Sequence, residues 1–446
     1  MNRRILISML FPAVLLIASS SAQESLKGMV DRELPSLVEI YKSLHASPEL
    51  SRHEEKTSAF LAKELRSLGY DVTDHVGKYD NSKWVGYGIV AVLKNGEGPT
   101  VLVRTELDAL PVDEKTGLAY ASRVKTKDDA GDEVSVMHAC GHDIHMTSLL
   151  GTAKMLVHLR DKWHGTLVLI GQPAEETVQG SQAMLNDGLY TRFQKPDYAL
   201  ALHDASDLET GKVGYVPGYC LSSSTSVDII VHGVGGHGSK PEATKDPIVV
   251  ASQTVLALQT IVSRELSPFD PAVVTVGAIH GGSKNNIIPD EVKLQLTVRA
   301  YKEEVRQKII ASIERISKNI ALAAGIPEAL APTVRVVEGT DATYNDPKLT
   351  ERVAGAMKKA LGDDNVLKLD PEMASEDFCH YGLEGNKIPI CMFRLGAVDP
   401  AKVAESRKTG IPLPSLHSSL FAPVPEPTIR TGVIAMTSAV VEFMAK

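Results

Sequence analysis

Thr100-Val101-Leu102-Val103-Arg104-Thr105-Glu106-Leu107-Asp108 starts as a short apolar run and ends in carboxylates. Such a run reads as a strand buried on both faces, as in a parallel sheet. The pattern recurs. Gly165-Thr166-Leu167-Val168-Leu169-Ile170 leads into Gln172-Pro173-Ala174-Glu175-Glu176, and Tyr198-Ala199-Leu200-Ala201-Leu202 leads into His203-Asp204. Gly88-Ile89-Val90-Ala91-Val92-Leu93 is a further buried run. Helical stretches accompany these strands. Residues 58–69 put Phe60, Leu61, Leu65 and Leu68 on one stripe before Gly69, and residues 144–159 form another. The implied class is α/β, with a mixed, mostly parallel sheet and helices on both faces. Open sheets of this kind bind ligands just past the carboxyl ends of their strands. Here three strand ends deliver carboxylates or imidazole.

Near Gly218 the texture changes. Strand patterns at 227–231, 273–279, 292–298 and 333–337 alternate with helical patterns at 247–265 and 303–322. This β-α-β-β-α-β order predicts an inserted ferredoxin-like α+β domain. The expected organisation is a leader at 1–22, a first part of the main domain at 23–219, the insertion at 220–338, and the rest of the main domain at 339–446. That last part carries a late strand at 388–395 and a final helix with Ile429, Val433, Met436, Val440 and Met444 on one face.

The 446 residues suit two or three domains, and 43% hydrophobic with 23% charged residues is ordinary globular usage. A net charge of −8 gives no reason to expect nucleic acid or an anionic membrane as partner. The N-terminus reads as a secretory signal. Arg3 and Arg4 precede a largely apolar stretch at 5–18, and Ser20-Ser21-Ala22 offers a cleavage site. The apolar stretch falls short of the roughly 20 residues a spanning helix needs. The expectation is a periplasmic or extracellular protein, free of the membrane after cleavage. Four cysteines are too few for a disulfide scaffold, and a Cys379–Cys391 pairing stays open.

The densest chemical cluster is His138-Ala139-Cys140-Gly141-His142-Asp143-Ile144-His145. A thiolate and imidazoles at this spacing suit zinc or another borderline ion. Glu175-Glu176, at a strand end, can divide its labour between metal binding and proton transfer.

Met137-His138-Ala139-Cys140-Gly141-His142-Asp143, Gln172-Pro173-Ala174-Glu175-Glu176 and Leu416-His417-Ser418 together resemble the signature of the two-metal amidohydrolases. That family includes hippurate hydrolase, aminoacylase-like deacylases, N-acetyl-diaminopimelate deacetylase and auxin-conjugate hydrolases. The resemblance runs from about residue 33 to the C-terminus. It implies a catalytic domain holding two divalent ions (zinc, manganese, cobalt or nickel) and an inserted lid through which such chains often form homodimers. It implies Cys140, His142, Glu176, His203 and His417 as metal ligands and Glu175 as general base. Asp108 would orient an imidazole ligand. In the lid, His237 would stabilise the oxyanion, often across the dimer, and Asn286 and Arg299 would hold the substrate's carboxylate. The implied substrate is an N-acyl amino acid or short peptide.

Some positions depart from the family pattern. Glu106 stands where Asp is usual, which alters the outer shell. Gly171 replaces a common Phe, which is expected to open a pocket or loosen packing. Met373-Ala374-Ser375-Glu376-Asp377-Phe378 also matches a family segment, with no catalytic role assigned. A dipeptidase or carboxypeptidase, and a non-catalytic exported binding protein, are the alternative readings.

Overall fold

The structure, a computed structural model, describes residues 25–383 and 387–446. The leader expected at 1–22 lies outside the described residues. The main sheet has eight strands. Its order is Asp71–Val76, Gly88–Asn95, Gly165–Gln172, Thr100–Glu106, Tyr198–Glu209, Ile390–Val398, Val213–Tyr215 and Val366–Lys368. The middle strands from Gly165–Gln172 to Ile390–Val398 run parallel, and antiparallel pairs flank them. Every residue of Thr100–Glu106 and of Gly165–Gln172 is buried, which explains their unbroken apolar runs.

Helices cover both faces. On one face Leu26–His45, His142–His158, Pro347–Leu361 and Pro425–Met444 close a core that includes Leu37, Leu150, Met357 and Val433. On the other, Met184, Phe378 and Tyr381 pack against Val90, Leu102 and Ile170. Between His142 and Leu156 every side chain except Lys154 is buried. That helix therefore lacks the polar stripe that marks a surface helix.

Residues 223–340 build a second, antiparallel sheet. Its order is Ala272–Gly281, Glu291–Ala300, Ser223–His232 and Thr333–Thr340. With helices Pro247–Thr260 and Glu303–Ala323 this is the ferredoxin-like arrangement, with its own core around Val227, Ile229, Leu294 and Ile309. Ser223–His232 alternates strictly between buried and half-buried residues, because only one sheet face meets the helices. The helix expected at 247–265 is α-helical to Thr260 and finishes in a π turn, Ile261–Glu265. Sequence periodicity gave no sign of a two-stranded tongue in which Gly236–His237 pairs with Ile287–Ile288. Two-residue strands are too short to show a period.

The expectation at Gly171 needs correction. A Cβ there would lie 2.8 Å from Ile89 Cγ1 and 3.0 Å from Leu107 Cδ2. Neighbouring side chains already occupy the space a Phe would need, so the glycine opens no pocket. Among the described residues no helix is long and apolar enough to cross a membrane.

Trp163 is fully buried under the Pro425–Met444 side of the sheet, and its Nε1 donates to Leu156 O at 2.8 Å. Trp163→Ala should destabilise the protein by about 3–5 kcal/mol. A denaturant midpoint unchanged from wild type would contradict that placement.

Candidate metal centre

Backbone geometry brings the donors together. Gly141 has φ +77°, a left-handed turn at the N-terminus of the helix His142–His158 that sets Cys140 and His142 on either side of it. Glu175 and Glu176 follow the strand Gly165–Gln172, after Ala174 at φ +49°. His203 belongs to Tyr198–Glu209. His417 arrives from a distant loop with φ +66°, tied by its N–H to Ala139 O at 2.8 Å. Positive φ at non-glycine residues is uncommon and costs energy, and such strain clusters at functional sites.

Cys140 Sγ is 3.5 Å from His203 Nε2 and 3.3 Å from His417 Nε2. His417 Nε2 is 3.5 Å from Glu176 Oε2. His142 Nε2 lies 3.8 Å from Glu175 Oε2 and 3.9 Å from Glu176 Oε1. The donors form two groups that share Cys140: one with His142 and His203, the other with Glu176 and His417, each within 4.8 Å.

These residues fit a pair of metal ions. His142 Nδ1 donates to Asp108 O at 2.8 Å, and His203 Nδ1 donates to Asp204 O at 2.9 Å. Each bond fixes the ring so that Nε2 faces the cluster with its lone pair, as metal-ligating imidazoles require. His142 Nε2 and Glu176 Oε1 are buried with no hydrogen-bond partner. Buried polar atoms are normally satisfied, so orphans that converge on one point mark the place of an ion. Thiolate, imidazole and carboxylate together suit zinc, manganese, cobalt or nickel.

Asp108 acts from behind the donors. Its Oδ2 accepts from Ser51 Oγ at 2.6 Å and from the Glu176 N–H at 3.0 Å, while its Oδ1 lies 3.5 Å from His142 Nδ1. It therefore fixes two of the candidate ligands at once. Burial pushes the Glu175 carboxyl well above its ordinary range, helped by Glu376 and Glu176. Burial also lifts Glu176, to about 7, and lowers His203 to about 4, which keeps that imidazole neutral.

Under the cluster lies a network that the sequence reading did not use. The fully buried Arg104 pairs with Glu106, with Glu376 at 2.7 Å and with Asp377 at 3.1 Å. Its Nε donates to Gln172 Oε1 at 3.0 Å, and Gln172 Nε2 donates to Asp377 Oδ1 at 2.6 Å. Glu106 continues to His145 Nδ1 at 2.9 Å, and His145 Nε2 accepts the Asp204 N–H at 2.9 Å. Both ring nitrogens of His145 are thus engaged. The signal for this network was Arg104 itself, a charge inside an otherwise apolar strand, which demands buried partners. Glu376 gives the Met373–Phe378 segment its place, because it also lines the cavity beside the metal donors.

That cavity, about 370 Å³, is bordered by Cys140, Glu175, Glu176, His203, His417 and Arg299. Arg299 Nη1 donates to Ser375 Oγ at 2.9 Å, which ties the lid to the main domain. His237 and Asn286 are elsewhere. They meet in the exposed tongue, where the Gly238 N–H donates to Asn286 O at 2.9 Å, and neither lines the cavity of its own chain. All four cysteines are buried and unpaired, so Cys379 and Cys391 form no disulfide and Cys140 is free to ligate.

Residues 102–416 match the family described as Peptidase family M20/M25/M40. The chain is 34% identical to "Thermostable carboxypeptidase 1" of Saccharolobus solfataricus, over 95% of this chain and 99% of that protein. It is 38% identical to "Hippurate hydrolase" of Campylobacter jejuni, over 76% of this chain and 83% of that one. It superposes with a TM-score of 0.70, at 25% identity, on a dinuclear metal-binding M20 peptidase of Bacillus subtilis, covering 92% of this chain and 99% of that chain. Fold, donor set and relatives together define a metal-dependent hydrolase of amide bonds. The chain belongs to the peptidase family M20/M25/M40.

A Cβ added at Gly141 would overlap the Asp204 carboxylate, and φ there is +77°. Gly141→Ala should therefore separate Cys140 from His142 and weaken metal affinity at least tenfold, the scale of lost supporting contacts around a metal. Metal titration of the purified variant checks this, and wild-type affinity would contradict it.

Proposed function

We propose that this protein is an exported amidohydrolase that cleaves the amide bond of N-acyl amino acids or similar small amides. The observation that carries the reading is a single cavity bordered by the Glu175 carboxyl, the metal donors and the Arg299 guanidinium. A carboxyl that exchanges protons and a cation that grips a carboxylate are what an N-acyl amino acid presents work for. The hippurate hydrolase relative supports the deacylase reading. Export rests on the basic start, apolar stretch and small residues of 1–22. Homodimerisation through the lid is part of the proposal. It is supported by exposed apolar lid residues such as Leu256 and Phe269, and by a His237 that does not line the metal-side cavity of its own chain.

Cys140, His142, Glu176, His203 and His417 would hold two divalent ions. When bound, those ions supply Lewis acidity, which acidifies water and polarises a carbonyl. The chain's own residues do the rest. Glu175 accepts the proton of the attacking water on its carboxylate. The same burial that raises its pKa lets it keep that proton and hand it to the leaving nitrogen. Arg299 grips the substrate carboxylate through its planar fork. Asp108 holds the His142 ring and the Glu176 backbone still while charge develops.

Glu175→Gln should retain bound metal and lose turnover by about 10²–10⁴-fold. Metal content by elemental analysis, with amino-acid release from N-acetyl and N-benzoyl amino acids, reads both at once. Wild-type-like turnover at matched metal content would overturn the role of Glu175. A wild type that releases amino acids from dipeptides but from no N-acyl amino acid would replace the deacylase reading with the carboxypeptidase one, which the Saccharolobus relative favours.

A further inference from the structure

Glu54 is a fully buried carboxyl just ahead of the helix Glu55–Ser67. Its Oε1 accepts two backbone N–H groups, those of Arg52 and Ala174, each at 2.8 Å. Its Oε2 is buried with no hydrogen-bond partner among the described residues. Both donors have left-handed backbones, with φ +69° at Arg52 and +49° at Ala174. That conformation is unfavourable for any residue but glycine, and it persists only where the surroundings enforce it. Ala174 is fully buried, and the strand before it ends at Gln172. Pro173 has no N–H. The Ala174 N–H is therefore the first beyond the strand, and Glu54 is its acceptor. A buried amide without an acceptor would bear its full desolvation cost. The next two residues are Glu175 and Glu176.

The stretch that carries Glu54 grips a second strand end as well. Glu49 O accepts the Ala109 N–H at 2.8 Å, and Ser51 Oγ donates to Asp108 Oδ2 at 2.6 Å. Arg52 Nη1 donates to Thr177 Oγ1 at 3.2 Å and to Gln179 Oε1 at 3.0 Å. Residues 49–54 thus hold the chain at 108–109 and again at 174–179. We propose that Glu54 is a positioning residue for the metal centre. By holding the Ala174 amide it fixes the left-handed turn that brings Glu176 to the other donors and Glu175 to the cavity wall. The inference rests on the proposed function, in which these two carboxyls are ligand and base. Burial, with Asp108 nearby, pushes the Glu54 carboxyl up to about 8, which favours its uncharged form near neutrality. Glutamine has the shape of that form and keeps an acceptor oxygen. Methionine fills a similar volume in an apolar setting and has none to offer the two amides.

The test titrates zinc into the metal-free full-length protein and measures kcat and KM of the loaded protein. The substrate is whichever of N-acetyl amino acids, N-benzoyl amino acids and dipeptides the wild type cleaves fastest. In Glu54→Met the binding step that uses Glu176 and His417 should weaken at least about tenfold, the scale of lost support behind a metal ligand. The step that uses His142 and His203 should stay near its wild-type affinity. The kcat should fall about tenfold or more through misplacement of Glu175, with KM unchanged because Arg299 is untouched. Glu54→Gln should behave as the wild type. Adding Ala174→Gly to Glu54→Met should restore part of both losses, since glycine adopts a positive φ without strain. Should Glu54→Met fail to fold, Glu54→Asp, one carbon shorter, reads the same step. Wild-type zinc binding and kcat in Glu54→Met, equal weakening of both steps, or a Glu54→Gln as impaired as Glu54→Met would each overturn the role of Glu54. So would losses that Ala174→Gly leaves untouched. Those results leave the amidohydrolase reading standing, whereas a wild type that binds no zinc and cleaves none of the substrates overturns that reading and the inference with it.

Discussion

A buried guanidinium underlies the chemistry of this protein. Parallel strands that end in carboxylates gather negative charge in a place from which water is excluded, and isolated buried charge is expensive. Arg104 answers this from within the sheet, by pairing with Glu106, Glu376 and Asp377 and bonding to Gln172. Removing one partner from such a buried network typically costs about 3–5 kcal/mol, because the others are left uncompensated. Glu106 extends the same network towards the metal donors. Its carboxylate reaches both Arg104 and His145, and His145 in turn holds the Asp204 backbone beside the metal donors.

Above that base, the donors are held by backbone shape as much as by side chains. Left-handed geometry at Gly141, Ala174 and His417 points ligands from three segments at one place. The rings of His142 and His203 are locked by carbonyls, and Asp108 joins His142 to Glu176. A site whose unsatisfied atoms are its ligands is stable when an ion completes it. Glu175 stands among neighbouring carboxylates in a buried setting, and its raised pKa follows from that company.

The two sheets divide the work. The main sheet is buried on both faces and supplies rigid strand ends, whereas the lid sheet has one covered face and one open face. Arg299, from the lid, reaches Ser375 of the main domain across the cavity, so the site is assembled from both. His237 and Asn286 stay on the tongue, outside the cavity of their own chain.

Much of this was legible in the sequence, for physical reasons. Strands buried on both faces must be continuously apolar, so 88–93, 100–103, 165–170 and 198–202 announced themselves, and the alternation at 292–298 marked a sheet with one covered face. The Cys140-Gly141-His142 spacing and the pair Glu175-Glu176 are local, and local chemistry can be read along a chain. Distance in sequence hid the rest. Arg104 and Glu376 lie 272 residues apart, and only folding makes them partners. The filled space around Gly171 depends on where Ile89 and Leu107 land, not on the residue's own size. The sequence by itself determined the two folding units and the types of donor, because periodicity and residue chemistry are local properties. Tertiary structure alone decided which donors share Cys140, which charges balance, and which segments border the cavity, because these depend on contacts between segments far apart in the chain.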